Sequence, residues 1–135
     1  MKNLLLVTCL LTISFAIDPA KVKKFYDGID ICVQELHTPG VPIKLPLNIE
    51  EYTSDIVLCS LHKHKLIDEQ GLIRKEKLIE YNNYIISDKT KLRQANEIIS
   101  MCVEQAYQSP GSNYEKTKAF IKCGIRVIDL IDKPQ

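Results

Sequence analysis

Apolar residues recur at steps of three and four along most of this chain, and that spacing restricts it to helices more tightly than any other feature. Val22, Phe25, Tyr26, Ile29, Cys32, Val33 and Leu36 form one stripe, which predicts an amphipathic helix from Asp18 to about Leu36. Asp18 suits the N-cap and Pro19 the first helical position. Thr38 to Pro46 then contains three prolines, which fix the backbone and remove donors, so a stiff connector follows. Leu45, Val41 and Ile43 can still pack inward. Asn48 with Glu51 reads as a capping box that restarts helix to about Leu66, turning Ile56, Cys59 and Leu61–His64 to one side. Ile67 to Gly71 is a turn. A third helix spans about Arg74 to Ile86, burying Leu78, Tyr81, Ile85 and part of Tyr84. Ser87 or Asp88 caps the next, striped by Leu92, Ala95, Ile99, Cys102 and Ala106. After Ser109-Pro110-Gly111-Ser112, Asn113 caps a last helix carrying Thr117, Phe120, Ile121, Gly124, Ile128 and Ile131, with Pro134 ending it. No run alternates with period two for long enough to argue a strand. The expected fold class is all-α, with five to six short helices enclosing an apolar cavity.

The first sixteen residues read differently. Met1-Lys2-Asn3 is a short positive start, Leu4 to Phe15 is apolar except for Thr8, Thr12 and Ser14, and Ser14-Phe15-Ala16 supplies small residues for cleavage. That is the pattern of a secretory signal peptide over residues 1–16, followed by a single domain over 17–135 in an extracellular setting. The apolar run is too short to span a bilayer, which takes about 20 residues.

Cys9 leaves with the leader. Cys32, Cys59, Cys102 and Cys123 remain, an even set that in a short secreted chain reads as a disulfide framework. Four cysteines allow three connectivities, and spacing alone does not choose among them. Helix geometry adds an argument. Cys102 and Cys123 flank the Pro110-Gly111 hairpin and can face each other across it, which leaves Cys32 for Cys59. Each link adds roughly 3–4 kcal/mol by chain entropy. A metal site would want paired short spacings such as C-x-x-C, which are absent from the sequence, so no metal and no cofactor are expected.

Charge excludes other classes. The chain has 18 basic and 17 acidic residues; losing Lys2 with the leader brings the two into balance. A nucleic-acid binder needs a basic excess or stripe. The one basic cluster, Arg74-Lys75-Glu76-Lys77, is short and interrupted, and reads as a solvated helix face. Neither nucleic acid nor a membrane is an expected partner.

Two segments resemble the insect odorant-binding proteins, the pheromone and general odorant-binding family. One runs from Cys59-Ser60-Leu61-His62 to Glu69-Gln70-Gly71. The other runs from Cys102 through Tyr114-Glu115-Lys116 to Ile121-Lys122-Cys123. The family has six cysteines; here its second position is Asp55 and its fifth is Tyr114, a paired loss that resembles its four-cysteine "minus-C" subgroup. The resemblance implies the pairs Cys32–Cys59 and Cys102–Cys123. It also implies reversible carriage of odorants, pheromones or similar small apolar molecules, an olfactory receptor as partner, and a monomer or weak homodimer.

An enclosed apolar pocket binds by removing ligand surface from water, at about 25 cal/mol per Å². The larger inward apolar groups are the candidate ligand-binding residues: Phe25, Ile29, Ile56, Leu78, Ile98, Met101, Phe120 and Val127. Met101 stands out for its adaptable thioether. Tyr81 and Tyr84 can offer a hydroxyl. His62 and His64 are about 200° apart on a helix and do not share a metal easily; His37 ends the first helix, and any of the three could act as a pH switch. No Gly-x-Ser-x-Gly, phosphate loop or His-Glu-x-x-His occurs, so no catalytic residues and no enzyme activity are expected. The rival class is a secreted helical signalling or toxin-like protein acting on a receptor or membrane. An exposed apolar or charged patch would favour it, and a buried cavity would favour the carrier.

Overall fold

The computed structural model describes residues 17–40, 42, 44, 45 and 47–134. The expected leader, Cys9 within it, and Val41 and Ile43 of the connector lie outside the described residues. The described residues form five α-helices: α1 Pro19–Leu36, α2 Ser54–Lys63, α3 Lys75–Ile85, α4 Lys89–Gln108 and α5 Asn113–Gly124. Two 3₁₀ segments, Ile49–Glu51 and Ile125–Leu130, complete the helical content. The all-α class is therefore correct.

α1 matches its stripe. Asp18 Oδ1 accepts from the backbone N–H of Ala20 at 3.0 Å, and Val22, Phe25, Gly28, Ile29, Cys32 and Val33 are buried. α2 differs from its prediction at both ends. Glu51 accepts from the Asn48 N–H at 2.8 Å, as a capping box should, but only one 3₁₀ turn follows. Tyr52 and Thr53 are extended, and the Thr53 hydroxyl, accepting from Ile56 N–H at 3.2 Å, caps the α-helix proper. The helix stops at Lys63 because Lys65 adopts φ 58°. Leu66 N–H then reaches back to the Leu61 carbonyl at 2.9 Å, and Lys65 N–H to that of His62 at 3.0 Å, a Schellman ending with lysine in the left-handed position glycine usually takes.

The 67–73 turn is built by Asp68, whose Oδ1 accepts from Gln70 N–H at 2.8 Å and Leu72 N–H at 3.0 Å. Two hydroxyls, a buried one and a half-buried one, fasten it to the last helix pair. Thr117 of α5 donates to the Gly71 carbonyl, and Tyr107 of α4 meets the backbone of Ile73. Asp88 caps α4, accepting from Lys91 N–H at 2.9 Å. Ser112, not Asn113, caps α5. α5 ends at Gly124 instead of running on to Ile131, and the 3₁₀ segment after it turns Val127 and Ile128 inward.

α1 packs on α2 and α3, α2 on α5, α3 on α4, and α4 on α5. Two disulfides staple the first and last of these pairs: Cys32–Cys59 joins α1 to α2, and Cys102–Cys123 joins α4 to α5. Both pairings agree with the hairpin argument. Formed disulfides suit an oxidising compartment. Asp55 and Tyr114, the positions that the odorant-binding resemblance treats as lost cysteines, are joined through Lys118. Its Nζ lies 3.5 Å from Asp55 Oδ1 and 5.3 Å from the centre of the Tyr114 ring.

Candidate functional site

A cavity of about 60 Å³ lies where the five helices meet. Every helix contributes to its wall: Phe25 and Ile29 from α1, Val57, Ser60 and Leu61 from α2, Leu78 and Ile85 from α3, Ile99 from α4, Phe120 and Ile121 from α5. Val127, Ile128 and Ile131 close it from the C-terminal side. The faces of α1, α3, α4 and α5 are their predicted stripes, whereas α2 presents Val57, Ser60 and Leu61 in place of the expected Ile56, Cys59 and Leu61–His64; the cavity is where these faces converge without filling their common centre. At about 24 cal/mol per Å³, a void this size costs on the order of 1 kcal/mol, which either disulfide offsets.

Ser60, Tyr81 and Asn82 are the polar side chains on this wall. Asn82 Nδ2 donates to Asn96 Oδ1 at 3.2 Å. The Tyr81 hydroxyl makes a long contact, 3.5 Å, with the Lys21 carbonyl; burial above all, with Asp18 nearby, pushes its pKa up to about 12. Ser60 is 1% exposed and its Oγ has no hydrogen-bond partner in the protein.

Of the residues singled out from sequence, the structure brings Phe25, Ile29, Leu78, Phe120 and Val127 together around the cavity, with Tyr81 beside them. Four lie elsewhere. Ile56 is buried but faces an open groove of about 580 Å³ at the end of α1, shared with Val33, Leu36 and Leu58. Tyr84 is half-buried under Lys21, whose Nζ stands 3.9 Å from the ring centre. Ile98 is half-buried, and Met101 is 41% exposed. The reason is angular. The buried line of α4 runs through Ala95, Ile99, Cys102 and Ala106, and Ile98 and Met101 each precede a member of it by one residue, about 100° around the helix. Ser60 and Asn82 were not anticipated as wall residues. Their signal was present in register: Val57, Ser60, Leu61 and Leu78, Asn82, Ile85 each fall on one helix face.

His64 forms a second polar feature next to the cavity. Its ring stacks near Phe25, with centroids 6.0 Å apart at 22°, and leans on Tyr81 at 5.4 Å. Nε2 is buried without a partner. The ring lies so close to α1 that a Cβ on Gly28 would stand 3.0 Å from Nε2, so glycine is what allows this approach. The end of α2 would favour an imidazolium, yet desolvation outweighs it, and with Lys24 lowers the His64 pKa below its ordinary 6.5. His62, by contrast, is exposed, and His37 Nδ1 sits 2.6 Å from the Gln34 carbonyl.

The sign of the His64 contribution follows. The unfolded chain takes up a proton at His64 as pH falls through 6.5, whereas the folded chain resists until lower pH. Unfolding therefore binds protons, and stability present above pH 6.5 declines on acidification until the folded group also titrates. Urea unfolding at pH 7.5 and 5.0 should show wild type losing more stability than His64→Phe; equal losses would contradict this account of the ring.

The family model described as the ant venom allergen Sol i 2 family matches residues 44–128. The chain belongs to that family. The matched span contains α2 through α5 and most of the cavity wall. The Sol i 2 family member also resembles Venom allergen 4 of Solenopsis geminata, 25% identical over 133 residues that cover 93% of this chain and 90% of that protein. This overturns the resemblance to odorant-binding proteins, and the odorant, pheromone and olfactory roles attached to it fall with it. Cysteine spacing on helices describes how a small bundle is stapled; it does not separate one stapled helical family from another.

Proposed function

We propose that this chain is a secreted, venom-type helical protein that acts outside the cell that makes it, by non-covalent binding to a protein or membrane target and not by catalysis. The observation that carries the reading is family membership, supported by the near full-length match to Venom allergen 4. The fold is compatible with it. Two disulfides hold the bundle together where no reducing system protects it. Apolar groups are left on the surface: Ile31, Leu36, Met101 and Tyr114 are each at least 41% exposed.

Mass spectrometry of the animal's venom or glandular secretion tests this reading. The expected species begins at Ile17 and carries no free thiol. A chain found only inside cells, uncleaved and with reactive thiols, would remove the basis for the proposal.

A second reading, carriage of a small apolar molecule, is favoured by one observation: the core cavity is apolar nearly throughout and lined by side chains from every helix. Its size sets the ligand. One water-sized volume is about 10–15 Å³, so about 60 Å³ admits about four to six non-hydrogen atoms without rearrangement. Large fluorescent probes would not enter, and their failure to bind would not count against carriage.

A further inference from the structure

We infer that the core cavity is a site for a short apolar molecule bearing one hydroxyl or carbonyl, and that the Ser60 hydroxyl is the group that recognises it. The inference deepens the second reading above and rests on it. Ser60 belongs to the α2 face that lines the cavity, is 1% exposed, and has an Oγ with no hydrogen-bond partner in the protein. A serine within a helix ordinarily satisfies its hydroxyl on the carbonyl one turn earlier; this one does not. A buried polar group left unpaired is costly, so its persistence in a wall made otherwise of Val57, Leu61, Ile85 and Ile121 needs a reason. A ligand atom supplies one.

Of the other polar side chains on the wall, Asn82 donates to Asn96 and Tyr81 makes a long contact with the Lys21 carbonyl. Ser60 Oγ is the wall oxygen that is buried with no partner, in an otherwise apolar lining around about 60 Å³. The matching chemistry is a compact hydrocarbon body with a single polar atom at one end. A charged ligand would meet no counter-ion on this wall, and a longer one would not fit.

The test uses 1-butanol and n-pentane, probes of equal heavy-atom count that differ in one hydroxyl, on the full mature protein. Binding is followed by shifts of NMR signals from cavity residues such as Ile85 and Ile121, in wild type and Ser60→Ala. Expected are saturable shifts centred on the cavity, with 1-butanol weakened about 5- to 10-fold by Ser60→Ala, the loss of one hydrogen bond, and n-pentane unaffected. The melting temperature of unliganded Ser60→Ala should equal or exceed that of wild type, because the substitution removes an unpaired group. If both probes bind and the substitution changes them alike, carriage survives and the role of Ser60 is overturned. If neither shifts a cavity signal, both fail. A lower melting temperature for Ser60→Ala would mean the hydroxyl is paired in the empty protein, which also overturns the inference.

Discussion

Phe120→Ala is expected to lower unfolding stability by about 3–5 kcal/mol and, at the same time, to make the protein a receptor for benzene-sized molecules. Phe120 is 4% exposed and lines the cavity, with its ring tip 3.9 Å and Cys102 Sγ 4.0 Å from where a Gly124 Cβ would be. Truncation merges its volume with the existing void. A domain of this size has about 5–15 kcal/mol to lose, so the variant should remain folded but melt far earlier. Benzene should then raise its melting temperature, because a ligand that binds only the native state stabilises it by mass action. Calorimetry with and without benzene checks both parts. A loss under 1 kcal/mol, or no response to benzene, would mean the region collapses on truncation and that no enclosed space exists beside Phe120.

The second large effect concerns the bridges. Replacing Cys102 and Cys123 together with alanine should cost roughly 3 kcal/mol, chiefly by freeing a loop of 21 residues in the unfolded chain. The cost should appear as a lower urea midpoint with helical circular dichroism retained. The reason is that Cys102 is wholly buried on the α4 stripe and alanine keeps the stripe apolar. Cys32 with Cys59 should behave likewise, since that bridge closes 27 residues and Cys32 is also fully buried. A midpoint unchanged from wild type would show that helix packing alone holds α4 against α5.

These effects rest on parts of the fold that were legible before any coordinates. α1 and α4 follow from unbroken stripes with strong caps at Asp18 and Asp88, and the disulfide pairs follow from facing Cys102 and Cys123 across the Pro110-Gly111 hairpin, which leaves Cys32 for Cys59. Where the reading went astray, a local signal competed with a tertiary one. The Asn48–Glu51 capping box forms but yields only a 3₁₀ turn, because Thr53 offers a second cap directly before the stripe that has a core to face. α2 stops early through left-handed Lys65, a position no propensity scale assigns to lysine.

The cavity was legible as a convergence of stripes, but its polar wall was not. Apolar periodicity alone does not assign Ser60 and Asn82 to a face, although each occupies an inward register position. Met101 was favoured for its chemistry and not for its angle on α4, and the angle decided. The family was missed for a related reason. Cysteine spacing reports how helices are cross-linked, while membership of the ant venom allergen Sol i 2 family is written across residues 44–128 as a whole.

This venom-allergen-family bundle leaves an apolar space where its five helices meet. A crystal structure of the wild-type protein under xenon pressure tests it most directly, since a single xenon atom fits the space without asking for a hydrogen bond. The account predicts one internal xenon bounded by Phe25, Ile85, Phe120 and Ile121, with the helices unmoved. Density for those side chains packed across the centre, and no xenon inside, would contradict it and leave the outer surface to do all of the protein's binding.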